Sequence, residues 1–311
     1  MTGLVSVAIP VRDGGPRLLE VLEAVRAQQT QREVEIVVVD SGSTDGSVDA
    51  ARARGARVVE IAPAAFSHSG TRNLLMELAG GEHVVFLTQD AVPAADGWLD
   101  ALLGGFSLAD DVALAYGPYT PRPDAPAPVA RELREWFAAI APDGSPRIDR
   151  GSAATSHAAF FTDANGAVTR WAWRQVPFRP VPYAEDQALA ADMLSAGFAK
   201  AYVPGAAVVH SHAYPPLAQF RRSFDEFRAL REVHGWVAPL APRPVLGRLR
   251  LDLIADWRVL REQRPPPARL AREAIRSLRH WTVRAAGAAL GSRAERLPPS
   301  LRRWCSLERR A

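Results

Sequence analysis

The chain has 311 residues, a hydrophobic content of 48% and a single cysteine, Cys305. This length exceeds the roughly 100–200 residues of a typical domain, and one cysteine excludes an intrachain disulfide and a cysteine-based metal cluster. Residues 241–311 hold 17 arginines against six acidic residues, a net charge of +11, which leaves about −7 for residues 1–240 out of the total of +4. The basic character therefore belongs to the C-terminal segment.

The N-terminus and the hydropathy pattern predict neither a signal peptide nor a membrane-spanning helix. A strand-like segment starts at residue 4, with no basic region and no small-residue cleavage site before it. No uncharged apolar run approaches the roughly 18 residues that are needed to cross a bilayer. We therefore expect a cytoplasmic protein.

In the first 118 residues, short apolar runs alternate with segments of helical periodicity. We predict strands at residues 4–10, 35–40, 57–61, 83–88 and 112–116, with helices in the intervals between them. The strand-like runs are apolar on both faces, which is typical of a parallel sheet covered by helices on both sides. The predicted fold class is α/β, with a doubly wound, mostly parallel sheet.

The remainder of the chain predicts a second half and a helical extension. The proline-rich residues 118–128 suggest a linker, residues 141–185 are loop-rich, and helices are predicted at residues 129–140, 185–196 and 217–233. Two amphipathic helices flank Pro265–Pro267. We therefore divide the chain into a domain over residues 1–240, with halves at 1–118 and 119–240, and a basic helical extension over 241–311.

Candidate binding residues stand where predicted strands end. Pro10, Val11, Arg12 and Asp40 follow the first two strands, and ligands of open α/β sheets bind at the carboxyl ends of strands. Asp40 could accept a hydrogen bond from a pyrimidine ring, or it could simply cap the DSGSTD turn that follows. Neither GxGxxG nor GxxxxGK[ST] is present, which disfavours dinucleotide-fingerprint and P-loop proteins.

Two further groups of polar residues are candidates for anion and metal binding. Arg72 opens a predicted helix, where it could hold a diphosphate or lie on the surface as an ordinary arginine. Asp90 follows the fourth strand and could bind Mg²⁺ or Mn²⁺ with His210 and His212, which would share a face if they lie in a strand. One carboxylate is too few for a tight site without further ligands.

Glu185 and Asp186 open another predicted helix. An acidic pair is common in the first turn of a helix, where the helix dipole favours negative charge. The functional alternative is a general base that removes a proton from an acceptor hydroxyl. The local sequence alone favours the first interpretation.

Seven segments, in this order, resemble family 2 inverting glycosyltransferases of the GT-A fold. They are VSVAIPVRD (5–13), EIVVVDSGSTDGS (35–47), FSHSGTRN (66–73), VVFLTQDAVP (84–93), DANGAVTR (163–170), PFRPVPYAEDQALAADMLSAG (177–197) and YVPGAAVVHSHAY (202–214). The pattern is similar to a bacterial rhamnosyltransferase branch that uses dTDP-L-rhamnose, and it covers about residues 4–235. The resemblance implies a GT-A type fold and transfer of a sugar with inversion.

The resemblance also implies roles for individual residues. It places Asp90 at the second acidic position of the metal-binding D-x-D motif, where Thr88 replaces the first, and it makes Asp186 the base. The residues implied on the nucleotide-sugar side are Pro10, Val11, Arg12, Asp40, Arg72 and Gln89. The residues implied on the acceptor side are Asn165 and Glu185, and the implied ligands of a divalent cation, Mg²⁺ or Mn²⁺, are Asp90, His210 and His212.

The implied partners are a nucleotide-diphosphate sugar donor and a glycan or lipid-linked acceptor in cell-surface polysaccharide synthesis. Another dTDP- or UDP-sugar, a non-catalytic sugar-nucleotide-binding subunit and a sugar nucleotidyltransferase are the alternatives. The basic C-terminal helices, with Trp257 and Trp281, suggest a peripheral site of action on the cytoplasmic face of the inner membrane; they could instead pack on the protein itself. Aromatic residues are not interleaved with the arginines, so nucleic-acid binding is not expected.

Overall fold

The computed structural model describes residues 3–151, 156–262 and 264–308. The chain separates into two compact units. The first unit comprises residues 1–120, 136–181 and 185–210, and the second comprises residues 121–135, 182–184 and 211–311. These units differ from the predicted division at residue 240, because residues 211–240 and a segment before residue 136 group with the C-terminal helices.

The strands all lie in the first unit. They are β1 Val5–Val11, β2 Val34–Asp40, β3 Arg57–Glu60, β4 His83–Leu87, β5 Val92–Pro93, β6 Val112–Tyr116, β7 Tyr119–Thr120, β8 Arg147–Arg150, β9 Asn165–Thr169, β10 Ala199–Tyr202 and β11 Val208–Val209. The central sheet has the order β3-β2-β1-β4-β9-β6-β10-β8, and β5, β11 and β7 form a small second sheet.

The central sheet is mostly parallel, as predicted. Strand β1 pairs in parallel with both β2 and β4, and the register places Val11 beside Asp40. Strand β9 runs antiparallel between β4 and β6, and β8 forms an antiparallel edge beside β10. The carboxyl ends of β1, β2 and β4 therefore meet at one edge of the sheet.

The helices alternate with the strands and then dominate the C-terminal part. They are α1 Gly15–Arg26, α2 Ser47–Ala53, α3 His68–Leu78, α4 Trp98–Gly104, α5 Ala127–Ile140, α6 Ser156–Ala159, α7 Arg170–Trp173, α8 Glu185–Ser195, α9 Pro216–His234, α10 Pro242–Glu262, α11 Pro267–Gly291 and α12 Pro299–Cys305. Short 3₁₀ segments occur at Pro63–Ala65, Gly105–Ser107 and Ala294–Arg296. The five strands predicted in the first 118 residues and the two long C-terminal helices are confirmed.

Two features of the middle of the chain differ from prediction. The loop-rich assignment of residues 141–185 was wrong for β8 and for β9, which lies in the centre of the sheet. The proline-rich residues 118–128 are only partly a linker, because they contain β7 and the first residues of α5. The carbonyl oxygen of Pro118 accepts a hydrogen bond of 3.0 Å from the Val208 N–H, which ties this stretch to β11.

The second unit packs α9 against α11 at very short range. A Cβ atom added at Gly291 would lie 2.2 Å from the Phe224 carbonyl oxygen, and one at Gly287 would lie 2.7 Å from the Phe220 carbonyl oxygen. Only glycine permits this approach of the two backbones. The helices of the extension therefore need α9 as a partner, which explains why residues 211–240 group with them.

A buried ion-pair network joins α5 to α10 and α11 within the second unit. The Arg131 guanidinium donates to the carboxylates of Asp256 and Asp252, and the Trp281 indole N–H donates to Asp256 over 2.7 Å. Trp281 is thus buried, which corrects the expectation that it faces a membrane, whereas Trp257 is 42% exposed. Within the described residues, each helix falls short of the length or the apolarity that a bilayer crossing requires.

Candidate active site

The ends of β1 and β4 are joined by the side chain of Gln89. Its carbonyl oxygen accepts a hydrogen bond of 2.8 Å from the Arg12 N–H, and its amide donates to the Arg12 carbonyl oxygen over 3.0 Å. Pro10 and Val11 precede this contact at the end of β1. The structure therefore brings Gln89 beside Arg12 at the end of β1, and binding of a nucleotide sugar by Pro10, Val11, Arg12 and Gln89 stays a prediction.

Asp40 caps the turn that follows β2. Its Oδ1 atom accepts hydrogen bonds of 2.9 Å from the N–H groups of Gly42 and Ser43, and its Oδ2 atom accepts from the Ser43 hydroxyl. The side chain is buried. The capping alternative is thus seen directly, and contact between Asp40 and a base stays a prediction.

Arg72 lies inside the protein rather than on its surface. Helix α3 begins after Ser67, whose hydroxyl accepts the Gly70 N–H over 3.1 Å, and the first turn carries Arg72 inward. Arg72 is 4% exposed, lies 5.3 Å from the centre of the Phe86 ring and donates to the Asp163 carboxylate. The surface-arginine alternative was wrong. Binding of a base or diphosphate by Arg72 stays a prediction.

Glu185 and Asp186 open α8 inside a buried cluster of charges. The Arg72 Nε atom lies 3.9 Å from the Glu185 Oε1 atom, and the His68 Nδ1 atom lies 3.8 Å from the same oxygen. Asp186 accepts hydrogen bonds from the N–H groups of Gln187 (2.7 Å) and Asp163 (3.4 Å). Three carboxylates and one guanidinium therefore share a site in which Arg72, Asp163 and Glu185 are buried and Asp186 is partly exposed.

The proton affinities in this cluster are strongly perturbed. Burial, followed by the negative charge of Asp163, raises the pKa of Glu185 to about 8. Burial, followed by the charges of Asp163 and Glu185, raises the pKa of Asp186 well above the usual aspartate range. Burial also opposes ionisation of Asp163, but the adjacent Arg72 charge outweighs it and lowers the pKa of Asp163. A general base needs a raised pKa of this kind.

Asp90 lies in the turn directly after β4, as predicted, and faces the histidines. Its Oδ1 atom is 3.5 Å from the His210 Nδ1 atom, and one ligand atom of each of Asp90, His210 and His212 lies within 4.8 Å of the others. Strand β11 ends at Val209, so a shared strand face is not the reason that the histidines meet. Backbone pairing explains the position of His210, because its N–H donates to the Thr120 carbonyl oxygen over 2.9 Å.

This donor set fits a divalent cation. One carboxylate oxygen and two imidazole nitrogens suit a first-row transition ion better than Mg²⁺, which prefers oxygen ligands. The Thr88 hydroxyl, at the first D-x-D position, is a buried oxygen without a hydrogen-bond partner among the described residues. Arg17 Nη1 lies 3.8 Å from the other Asp90 oxygen. Diphosphate oxygens and water would have to complete the coordination.

Asn165, implied on the acceptor side, is fully buried in β9. Its amide donates to the carbonyl oxygens of Ala206 (2.7 Å) and Pro118 (3.3 Å), and its own oxygen accepts the Trp98 indole N–H over 2.9 Å. These bonds use both amide hydrogens. The geometry gives Asn165 a structural role in joining three chain segments, and its contact with an acceptor stays a prediction.

Sequence reasoning did not single out Asp163 as a site residue, although it starts the segment DANGAVTR. The sequence indicated this residue only indirectly, through Arg72. An arginine in an apolar helix turn, if it is buried, needs a carboxylate partner, because an isolated charge is costly away from water. No rule of spacing identifies that partner 91 residues later in the chain.

Comparison with known proteins places this geometry in a family. The family described as glycosyl transferase family 2 matches residues 6–155. The O-antigen chain rhamnosyltransferase WbaN of Salmonella anatum is 31% identical over 201 residues, which is 64% of this chain and 63% of WbaN. The O-antigen chain rhamnosyltransferase RfbN of Salmonella typhimurium is 31% identical over 225 residues, which is 71% of this chain and 70% of RfbN.

The fold has relatives among solved structures as well. The mannosyltransferase PcManGT from Pyrobaculum calidifontis, solved in complex with GDP-Man and Mn²⁺, superposes with a TM-score of 0.61 at 19% identity and covers 94% of this chain and 86% of its own. At this identity the likeness supports the fold, including the mostly parallel sheet. The sequence relatives and the family match establish the family as well as the fold. The chain belongs to glycosyl transferase family 2.

Proposed function

We propose that the protein is an inverting glycosyltransferase that moves L-rhamnose from dTDP-L-rhamnose onto a hydroxyl of a glycan or lipid-linked acceptor in cell-surface polysaccharide synthesis. The observation that carries this proposal is the position of Asp186 at the start of α8, where its side chain is partly buried beside Asp163 and Glu185 and where burial and these two carboxylates raise its pKa. The names of the relatives WbaN and RfbN support the choice of rhamnose.

The reaction assigns separate tasks to the residues of the site. Asp186 accepts the proton of the acceptor hydroxyl, and the hydroxyl oxygen attacks the anomeric carbon from the face opposite the nucleotide. The new C–O bond forms as the bond to the diphosphate breaks, so a β-linked donor gives an α-linked product. Arg12 and Gln89 shape the end of β1 where the nucleoside would bind.

Asp90, His210 and His212 would hold the divalent cation. When bound, the cation would supply positive charge to neutralise the diphosphate of the leaving group. Arg17, whose Nη1 atom lies 3.8 Å from the Asp90 Oδ2 atom, places a further positive charge at this edge of the sheet. The site therefore combines proton acceptance on the acceptor side with charge neutralisation on the donor side.

A donor panel tests the proposed function. The purified protein is incubated with dTDP-L-rhamnose, dTDP-glucose, UDP-glucose, UDP-galactose and GDP-mannose and with a lipid-linked acceptor, and release of the nucleoside diphosphate is measured. Acceptor-dependent release from dTDP-L-rhamnose alone is the expected result. Release from another donor would show that its sugar, rather than rhamnose, is transferred. No release from any donor would favour a non-catalytic subunit.

We expect the activity to depend on a transition-metal ion rather than on Mg²⁺. Treatment with EDTA should abolish turnover, and Mn²⁺ should restore it at lower concentration than Mg²⁺, because two of the three ligands are imidazoles. Titration calorimetry of Mn²⁺ in the presence of dTDP checks the site independently of turnover. His210→Ala should weaken this binding by at least about 10–100-fold, because loss of a group that only orients a metal ligand already costs that much. Full activity in EDTA would contradict the metal role.

We also propose that the second unit binds anionic membrane surfaces through α10 and α11. These helices expose large apolar side chains, and a groove between them of about 560 Å³ is lined mainly by apolar residues, including Leu246, Leu253, Trp257 and Leu278. Arg250 also lines the groove, and the two helices and the turn between them carry further exposed arginines, which are Arg243, Arg248, Arg258, Arg261, Arg264, Arg269, Arg272, Arg276 and Arg279. Apolar contact combined with basic charge is typical of interfacial binding to anionic lipids.

Replacement of Trp257 by glutamate should reduce binding to vesicles that contain phosphatidylglycerol by at least about tenfold, because burial of a large apolar side chain is worth more than 1.4 kcal/mol. Co-sedimentation at several salt concentrations measures the partition, which should also fall as salt screens the arginines. Leu108→Glu, at an apolar side chain that is 42% exposed in the first unit, is the matched control. Equal binding of Trp257→Glu and wild type would contradict the membrane proposal.

A further inference from the structure

Asp163 links the arginine of the buried cluster to the proposed base. Its carboxylate accepts a hydrogen bond from Arg72, and its backbone N–H donates to the Asp186 Oδ2 atom over 3.4 Å. Asp163 is 5% exposed and lies in the segment that leads into β9. Contact with an acceptor sugar is therefore not the task of this carboxylate. Its position instead suits a role in placing Arg72 and Asp186.

The charges that face Asp186 come from three parts of the first unit. Glu185 precedes it on α8, Asp163 lies before β9, and Arg72 and His68 lie on α3. Arg72 is the permanent cation of this set, and its Nε atom is already 3.9 Å from the Glu185 Oε1 atom. Without the Asp163 carboxylate, a buried guanidinium would have Glu185 and Asp186 as its nearest counter-ions.

We propose that Asp163 is a positioning residue for glycosyl transfer, which holds the Arg72 guanidinium away from Asp186 and orients the Asp186 carboxylate toward the acceptor hydroxyl. The inference rests on the proposed role of Asp186 as the base. It adds a division of tasks among the three carboxylates of the cluster, of which Asp163 and Glu185 are buried and Asp186 is partly exposed. Asp163 remains ionised as the partner of Arg72, and Asp186 is left to exchange a proton with the acceptor.

The directions of the pKa shifts agree with this division. The pKa of Asp163 is lowered by Arg72 against the effect of burial, whereas burial and the charge of Asp163 raise the pKa of Asp186. Asp163→Asn removes the negative charge and retains the backbone N–H. The pKa of Asp186 should then fall, because Asp186 loses a negatively charged neighbour and the Arg72 guanidinium becomes able to pair with Asp186.

A lower pKa of Asp186 has a predictable effect on the pH dependence of kcat. Asp186 must be ionised to accept a proton, so activity falls as the pH drops through its pKa. In Asp163→Asn, we expect this acidic limb of the kcat profile to move to lower pH by about one unit or more. A base of lower proton affinity is also weaker, so the plateau value of kcat should fall about three- to tenfold, with the KM for the donor unchanged.

The test compares three variants with the wild type. Asp163→Asn and Arg72→Gln should move the acidic limb in opposite directions, because one removes a negative and the other a positive neighbour of Asp186. Asp149→Asn is the matched control; Asp149 also forms a buried ion pair in the first unit, 2.6 Å from Lys200. This control variant should lower the midpoint temperature of unfolding and leave the acidic limb of the kcat profile at the wild-type pH.

A second measurement needs no substrate. Carbon-13 NMR of labelled aspartate carboxyls, with Asp186 assigned from Asp186→Asn, follows its titration in the free protein. The midpoint should lie above the usual aspartate range in the wild type, fall in Asp163→Asn and rise in Arg72→Gln. Unchanged midpoints in both variants would overturn the inference. A wild type that titrates as expected but turns over no donor would instead remove the proposed function.

Discussion

Replacement of Asp186 by asparagine is expected to reduce glycosyl transfer by about 10²–10⁴-fold, the range that a positioned general base contributes. Asparagine is close in size, and its single carbonyl oxygen can still accept one of the two hydrogen bonds that the Asp186 oxygens accept from the N–H groups of Asp163 and Gln187, but it does not take up the acceptor proton. The loss should appear in kcat. Affinity for the donor nucleotide should be unchanged, because the end of β1 and Gln89 are untouched.

Two measurements check this prediction. Turnover is followed by release of nucleoside diphosphate, and donor affinity is measured by calorimetry with dTDP and Mn²⁺. Asp192→Asn is the control on the same helix, because Asp192 lies in α8 and pairs on the surface with Arg179 over 2.7 Å. Its turnover should match the wild type. If Asp186→Asn keeps more than about a tenth of wild-type kcat, Asp186 is not the base.

The largest effect on stability is expected at Asp256, in the second unit. Its buried carboxylate accepts hydrogen bonds from Arg131, Ser277 and Trp281. Asp256→Ala would leave the Arg131 guanidinium with an incomplete set of partners and the indole N–H with none. Breaking a buried pair in this way costs about 3–5 kcal/mol of the free energy of unfolding, because an uncompensated charge stays away from water.

Denaturant unfolding followed by circular dichroism and by tryptophan fluorescence measures this loss, and Trp281 reports on the site itself. Glu135→Ala is the matched control, because Glu135 binds the same arginine but its side chain is 59% exposed. Exposed pairs contribute about 0–1 kcal/mol. Equal destabilisation by the two variants would show that burial of Asp256 is not the source of the effect.

Most of the fold was predictable because its strands and helices have strong local patterns. The run EIVVVD of β2 is buried on both faces, and the stripe on α10 from Leu246 to Leu260 repeats with helical spacing. Strand β9 has no such pattern. Its sequence NGAVT begins with two poor strand formers, and a Cβ atom at Gly166 would lie 2.3 Å from the Thr162 carbonyl oxygen. Tertiary packing, rather than local preference, determines this strand.

The same distinction holds for the site. The positions of Asp90 after a strand and of Asp186 at the start of a helix were predictable from local patterns, whereas their roles as metal ligand and base were implied by the family resemblance and stay predictions. The partner of Arg72 was not predictable, since Asp163 comes from a segment without periodicity. The capping of Asp40 was one of the two alternatives that the local DSGSTD turn offered, whereas the burial of Asn165 depends on neighbours that are distant in sequence. The sequence positions of site residues can be predicted from local patterns, whereas the protonation of their side chains depends on the folded environment.

The ion pair between Arg131 and Asp256 has a consequence for how the chain is made. The two residues are 125 positions apart, and a ribosome that adds about 5–20 residues per second needs roughly 6–25 s to synthesise that interval. During this time Arg131 has been synthesised but its carboxylate partner does not yet exist. The first unit already has all its strands once residue 209 is made. The second unit has to wait until Trp281 has been made, so translation speed over residues 210–281 sets how long its unpaired apolar helices are open to chaperones and proteases.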